Sequence, residues 1–254
     1  DSFSARLRIS GKCLLDLVLN FAYIFEVSEA ETITMGDAPE NNDSLTENVQ
    51  IEAPTQSAPI VCVMDSGIQE EHKYLAPAII SDESISLLPN NTGISDEVAG
   101  GGHGTRVAGA VLYPKTVPSD GVYQLPCWIR NMRILDENNC LPEKVYPPKA
   151  IAIAVQKYNV EAPIPTKIFN HSIGSRRSCE MKHMTPWAAE IDSQSYNHDV
   201  LFIQAAGNIS TDVISAYWQA GYPYPEYLDR ELCRISNPAQ SLQAITVGSV
   251  SADE

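Results

Sequence analysis

The feature that most constrains this chain is a series of short strand-like runs separated by helix-like stretches. Pro59 to Met64 is the clearest: a continuous apolar run that stops at Asp65, Ser66 and Gly67, as a buried strand does on entering a turn. Trp128 to Leu135, Lys167 to Phe169, Val200 to Ala205 and Gln243 to Val250 are further strand candidates. Between them, Thr105 to Leu112, Lys149 to Tyr158 and Trp187 to about Tyr196 carry the small and apolar residues of helices. Such alternation predicts an α/β fold built on a mostly parallel sheet flanked by helices. The chain shows no internal repeat.

At 254 residues there is material for one large α/β domain, or one domain and part of another. Residues 1–35 are apolar in patches: Leu14 to Leu19 suits a short helix and Phe21 to Val27 a strand, together the end of an N-terminal domain. Residues 36–57 read as an acidic linker, and the main domain begins at residue 58. The net charge of −15 is concentrated: between Cys13 and His72 lie twelve Asp and Glu and no Lys or Arg. An excess of this kind disfavours nucleic acid and anionic membrane as partners, both being polyanions. The six cysteines form no CxxC pair and no ligand-like cluster. Cys62 falls inside an apolar run and reads as a buried thiol, which leans towards a reducing, cytoplasmic setting. No secretory signal or membrane-spanning run is visible.

The chemistry gathers at three places. In open parallel sheets, active groups cluster beyond the carboxyl ends of the strands, and Asp65 lies at one. His103 follows Gly100, Gly101 and Gly102 and opens a helix of small residues through Gly109. An imidazole at a helix start beside an aspartate is a general-base arrangement, the carboxylate holding the ring's tautomer and stabilising the imidazolium. The third place is the strand Leu201 to Ala205 running into Ala206, Gly207 and Asn208. Small residues there leave room for a substrate backbone, and the Asn amide can donate to a developing oxyanion.

Together, Asp65-Ser66-Gly67, His103 to Gly109 and Ala205 to Asn208 resemble the three successive signatures of the subtilase family of serine peptidases. Arg133 to Asp136, Phe169 to Gly174, and Asn237 to Ala239 leading into Ala244 to Gly248 are similar to the family's intervening elements. The resemblance runs from about Ile60 to Val250, and it implies a subtilisin-like domain over residues 58–254, incomplete at its C-terminal end. It implies that Asp65 orients His103, that His103 is general base and then acid, and that Asn208 binds the oxyanion. It also implies that Ser172, Ile173 and Gly174, with Ala205 and Gly207, line the substrate channel, the first segment pairing with an extended peptide as an added strand. The stretch ending Phe25-Glu26-Val27 is similar to the last strand of an inhibitory propeptide.

The chain departs from the family pattern twice. Arg106 stands where relatives carry a His or a Ser, and is expected to alter the substrate pocket or pair with an acid. The family's nucleophile lies in a Gly-Thr-Ser segment beyond the Asn; here the only Gly-Thr is Gly104-Thr105, followed by Arg106. Ser66, Ser172, Ser175, Ser210 and Ser249 lie near the motifs without the nucleophile's place at a buried helix start. The expectation is a serine endopeptidase whose nucleophile lies beyond Glu254, so that this chain alone is inactive and its incomplete core promotes self-association. The alternative is a catalytically inactive module that binds peptides or a protein partner. A nucleotide-binding domain is disfavoured by the lack of a GxxxxGK[ST] run.

No cofactor is expected. Calcium stays open, since no acidic loop has a clear coordination pattern. Glu70, Glu71 and His72 read as a solvated turn rather than metal ligands, and His171, His183 and His198 as surface or capping residues. The aromatic stretch from Tyr217 to Tyr227 suits either a partner surface or a packed loop.

Overall fold

The computed structural model describes residues 4–29, 48–100, 102–179 and 181–249. Its centre is a strand, β2 (Ile60–Asp65), all six residues of which are buried. Neighbouring side chains of a strand face opposite sides, and here both sides are covered. Cys62 and Met64 enter one apolar cluster with α3 (Pro147–Val155) and α4 (Pro186–His198), while Val61 and Val63 enter another with α2 (His103–Leu112). This explains the unbroken apolar run in the sequence.

Five more strands join β2 in one parallel sheet: β3 (Ile85–Ser86), β5 (Trp128–Arg133), β6 (Ile168–His171), β7 (Leu201–Ala205) and β8 (Ile245–Val247), in the order β3-β5-β2-β6-β7-β8. The chain fills one side of β2 first and the other afterwards, so β2 sits where the winding reverses, the position at which open α/β sheets leave a crevice. A separate parallel pair joins β1 (Val49–Glu52) to β4 (Gly121–Gln124). The expected fold class is therefore the one observed.

Local chemistry explains the helix boundaries. Pro147 and Pro148 open α3, and Pro186 opens α4 behind Thr185, whose hydroxyl accepts the Ala188 N–H. Ser210 caps α5 (Thr211–Gln219) in the same way. On the α3/α4 face, Phe169 and Phe202 stack across β6 and β7 with ring centroids 5.1 Å apart. Truncating either ring to Ala is expected to cost about 3–5 kcal/mol. In the same cross-strand row, beyond Cys62, the buried Arg130 donates to the carbonyls of Tyr158 and Ile164 and to Thr166, and pairs with Glu83. That set of acceptors satisfies a guanidinium that burial would otherwise penalise.

Two local expectations change. Phe21 to Val27 is irregular rather than a strand, with Tyr23 and Phe25 almost fully exposed; among the described residues no strand pairs with it. The helix before it, α1 (Gly11–Asn20), forms as expected but buries none of its residues. The N-terminal segment touches the rest of the molecule through polar contacts, Arg6 to the Glu143 carbonyl, Ser4 to Tyr146 and Glu29 to Arg177, and through the edge-on ring pair of Phe25 and His183. Glu26 lies 3.0 Å from His183. Within the stretch expected to be a linker, Val49–Glu52 is β1, and residues 36–47 lie outside the described residues. No described helix is long and apolar enough to cross a membrane.

Candidate active site

The carboxyl end of β2 delivers Asp65, which is buried. Its Oδ1 accepts the Ser66 N–H at 2.7 Å and lies 2.7 Å from Nδ1 of His103. A carboxylate only accepts, so Nδ1 carries the proton and Nε2 of the neutral ring keeps its lone pair. The His103 side chain is 18% exposed, enough for a reacting group to reach it. The contact depends on α2 approaching the Asp65 turn closely. A Cβ at Gly104 would stand 2.3 Å from the Gly67 carbonyl oxygen and 3.0 Å from Asp65 Cβ, so only glycine fits.

A second buried carboxylate, Asp96, completes this arrangement, and sequence reasoning did not single it out. Its Oδ1 accepts the Ser66 hydroxyl at 3.0 Å and the Val98 N–H at 3.2 Å. Its Oδ2 accepts the Thr105 N–H and hydroxyl, each at 2.9 Å. Ser66 Oγ in turn accepts the Gly104 N–H at 2.9 Å. Gly102, at the α2 cap, offers no side chain, so the free N–H groups of the first turn are satisfied from Ser66 and Asp96 instead. A negative charge at a helix N-terminus is also electrostatically favourable. The one available signal was an acid seven residues ahead of His103, which has no meaning without the fold.

The electrostatics of His103 follow. Burial is the largest single influence and disfavours the imidazolium, but the hydrogen bond and charge of Asp65, with the charge of Asp96, outweigh it. Arg106 opposes them weakly, and the net effect raises the ring above its ordinary range. Arg106 itself donates to the Gly100 carbonyl and so braces the glycine loop; among the described residues it pairs with no acid.

The neighbouring strand ends build two walls. After β6, Ser172 donates to Asn170 at 2.9 Å, Ile173 is fully buried, and the Ser175 N–H reaches the Asn237 carbonyl at 2.7 Å. After β7, the Ala206 N–H donates to Val247 and its carbonyl accepts from Ser236. Gly207 has φ +107°, and a Cβ there would lie 2.0 Å from Ser236 Oγ. Ser236 and Asn237 thus tie together the segments that carry Gly174 and Gly207. Asn208 follows on the same edge with its side chain exposed; it makes no hydrogen bond to Asp65 or His103.

Other sequence candidates resolve as follows. Ser66 and Ser172 are donors to fixed acceptors, Ser175 accepts the Arg177 N–H and Ser210 caps α5. Glu70 accepts from Ser84 and Asn131 at 2.6 and 2.7 Å. No cluster of three or more His, Cys, Asp or Glu among the described residues is placed to hold a metal ion. The aromatic stretch is mixed: Arg230 stacks 3.7 Å over Tyr222, whereas Trp218 and Tyr224 are mostly exposed. Cys62 is buried as expected, which pushes its thiol pKa up. His171, expected as a surface or capping residue, is instead buried inside the sheet layer. It is the last residue of an interior strand, and its side chain points into the layer covered by Trp187 of α4.

Solved structures share the fold, two proteases among them. One is the crystal structure of a lanthipeptide protease, 21% identical, with a TM-score of 0.50 over 75% of this chain and 48% of that one. The other is the epidermin leader peptide processing serine protease from Staphylococcus aureus, 17% identical, with a TM-score of 0.51 over 94% of this chain and 60% of that one. The chain therefore spans between about half and three fifths of the length of these proteases. No curated protein matches the sequence. The profile of the peptidase S8, or subtilase, family matches residues 56–254, the whole of the sheet and of the Asp65–His103 site, and on that match the chain belongs to the subtilase family.

Proposed function

We propose that this chain carries the acid–base half and the oxyanion donor of a serine endopeptidase site acting on extended peptide segments. The observation that carries the reading is the 2.7 Å contact between buried Asp65 and part-exposed His103. In this reading His103 Nε2 takes the proton of an attacking serine hydroxyl and later returns it to the leaving amine, while Asp65 holds the ring and stabilises its charged form. Asn208 donates to the tetrahedral oxyanion. Ser172, Ile173 and Gly174 line one side of the substrate channel, Ala205 and Gly207 the other. The attacking hydroxyl in this reading belongs to a serine in a Gly-Thr-Ser segment, a sequence that residues 1–254 do not contain.

The test is fluorophosphonate labelling of the full-length protein, with the modified serine mapped by mass spectrometry. The expected result is one labelled serine in a Gly-Thr-Ser context, with labelling abolished by His103→Ala. A folded full-length protein that takes no label, or labels equally without His103, would overturn the reading.

A further inference from the structure

The ladder between β6 and β7 ends at the pair His171 and Gln204, directly opposite each other in the register. Both side chains are buried, at 1% and 0% exposure. Beyond them the two chains part to form the walls described above, and their carbonyl groups lose the partners a sheet supplies. Gln204 replaces those partners. Its Nε2 donates to the Ile173 carbonyl at 2.7 Å and to the Ala205 carbonyl at 3.1 Å. Two acceptors fix that end as the NH₂ group, so Oε1 faces His171 Nδ1 at 2.6 Å, and Nδ1 carries the ring proton. Trp187 holds the imidazole edge-on, with centroids 5.3 Å apart.

An apolar pair at these positions would serve the sheet about as well, because replacing both partners of a buried hydrogen bond by apolar groups is close to neutral. What an apolar pair cannot do is hold two carbonyls in fixed directions. We infer that His171 and Gln204 are positioning residues: a buried clamp at the fork between the two walls that sets the backbone of residues 172–174 for pairing with a peptide. Peptide groups alternate in direction along an extended segment. With the Ile173 carbonyl held inward, those of Ser172 and Gly174 turn towards the open side. His171 acts one step removed, by fixing the Gln204 amide so that its NH₂ group cannot rotate away. This inference rests on the peptide-binding reading of the walls, but the clamp itself is testable without it.

Two near-isosteric variants separate direction from volume. Gln204→Met removes every hydrogen bond of the clamp, and Gln204→Glu keeps the acceptor for His171 but loses the donor to both carbonyls. Phe202→Leu, two residues away on the same face of β7, serves as a control for simple loss of stability. Amide hydrogen exchange is followed in residues 172–175 and in the central strand 60–65. Both Gln204 variants are expected to exchange about tenfold faster at 172–175, the factor that one net backbone hydrogen bond carries, with 60–65 unchanged. The control is expected to leave 172–175 no faster than 60–65. Equal acceleration everywhere, or none at 172–175, overturns the clamp. If the variants do not fold, the wild-type ring decides: long-range ¹⁵N–¹H spectra are expected to show His171 protonated at Nδ1, and an Nε2–H tautomer overturns the proposal. In the full-length protein, with a succinylated tetrapeptide p-nitroanilide as probe, Gln204→Met is expected to raise KM about tenfold with kcat little changed. A loss confined to kcat contradicts the role in peptide pairing. A wild type that neither binds nor cleaves the probe defeats the proposed function while leaving the exchange result to decide the clamp.

Discussion

His103 and His171 lie at the same edge of one sheet, yet their surroundings drive them in opposite directions. Burial disfavours the charged ring in both. Beside His103 stand two buried carboxylates, Asp65 and Asp96, and the net effect raises its pKa. Beside His171 stands a neutral amide, whose hydrogen bond only partly offsets burial, and the ring is pushed down to about 4. An imidazole at this edge of the fold, whether at a helix start or a strand end, becomes a base or a fixed structural ring according to the partner the neighbouring element supplies. The first arrangement suits proton transfer near neutral pH. The second suits a group that must never change its charge while the protein is working.

The sharpest way to break the comparison is to take the carboxylate from His103. In the full-length protein, Asp65→Asn is expected to lower kcat by roughly 10⁴, the scale on which such an amide leaves the ring in the wrong tautomer. Steady-state hydrolysis of the p-nitroanilide measures it. A loss below about tenfold would place the base elsewhere.

The next effect belongs to His171. Its folded pKa lies below the ordinary value of 6.5, so the unfolded chain binds more protons between the two. The contribution of the neutral ring is therefore complete above about pH 6.5 and is lost as the pH falls towards about 4. The loss is on the order of 3 kcal/mol, and urea unfolding at a series of pH values reads it. His171→Gln is expected to flatten that slope relative to wild type. His103 has the opposite sign: its raised pKa stabilises the fold at low pH, and that contribution disappears as the pH rises through the folded pKa.

Smaller again is Asp96→Asn. It removes one of the two negative charges acting on His103 and weakens the cap of α2, at a cost of about 1 kcal/mol. The acid limb of the pH–rate profile is expected to move to lower pH, together with a modest fall in Tm. Unchanged pH dependence would show that Asp96 only braces the loop. The smallest effect is expected from Arg106→Gln, which relieves the one cation opposing His103 and moves the same limb slightly to higher pH.

Much of this was legible in the sequence, for reasons visible in particular residues. β2 announces itself because both of its faces are covered, so every position from Ile60 to Met64 is apolar. Asp65 and His103 were readable as partners because each terminates or opens an element at the same edge of a parallel sheet. The β1–β4 pair was not legible, because four-residue strands with no fully buried residue look like polar loop and their partners lie far apart along the chain. Phe21 to Val27 misled in the other direction: a bulky apolar run predicts a strand only if an edge is there to receive it. His171 and Asp96 were missed for a common reason. Their meaning lies in Gln204, Ser66 and Thr105, and only the register of β6 against β7 and the docking of α2 bring those groups within reach.

The most direct test is one titration that follows both imidazoles by NMR in the same sample. His103 is expected to titrate above 6.5 and His171 to stay neutral until the pH approaches about 4, with Asp65→Asn lowering the first and leaving the second in place. Two rings titrating together near 6.5, or a His103 indifferent to the loss of the Asp65 carboxylate, would contradict that expectation.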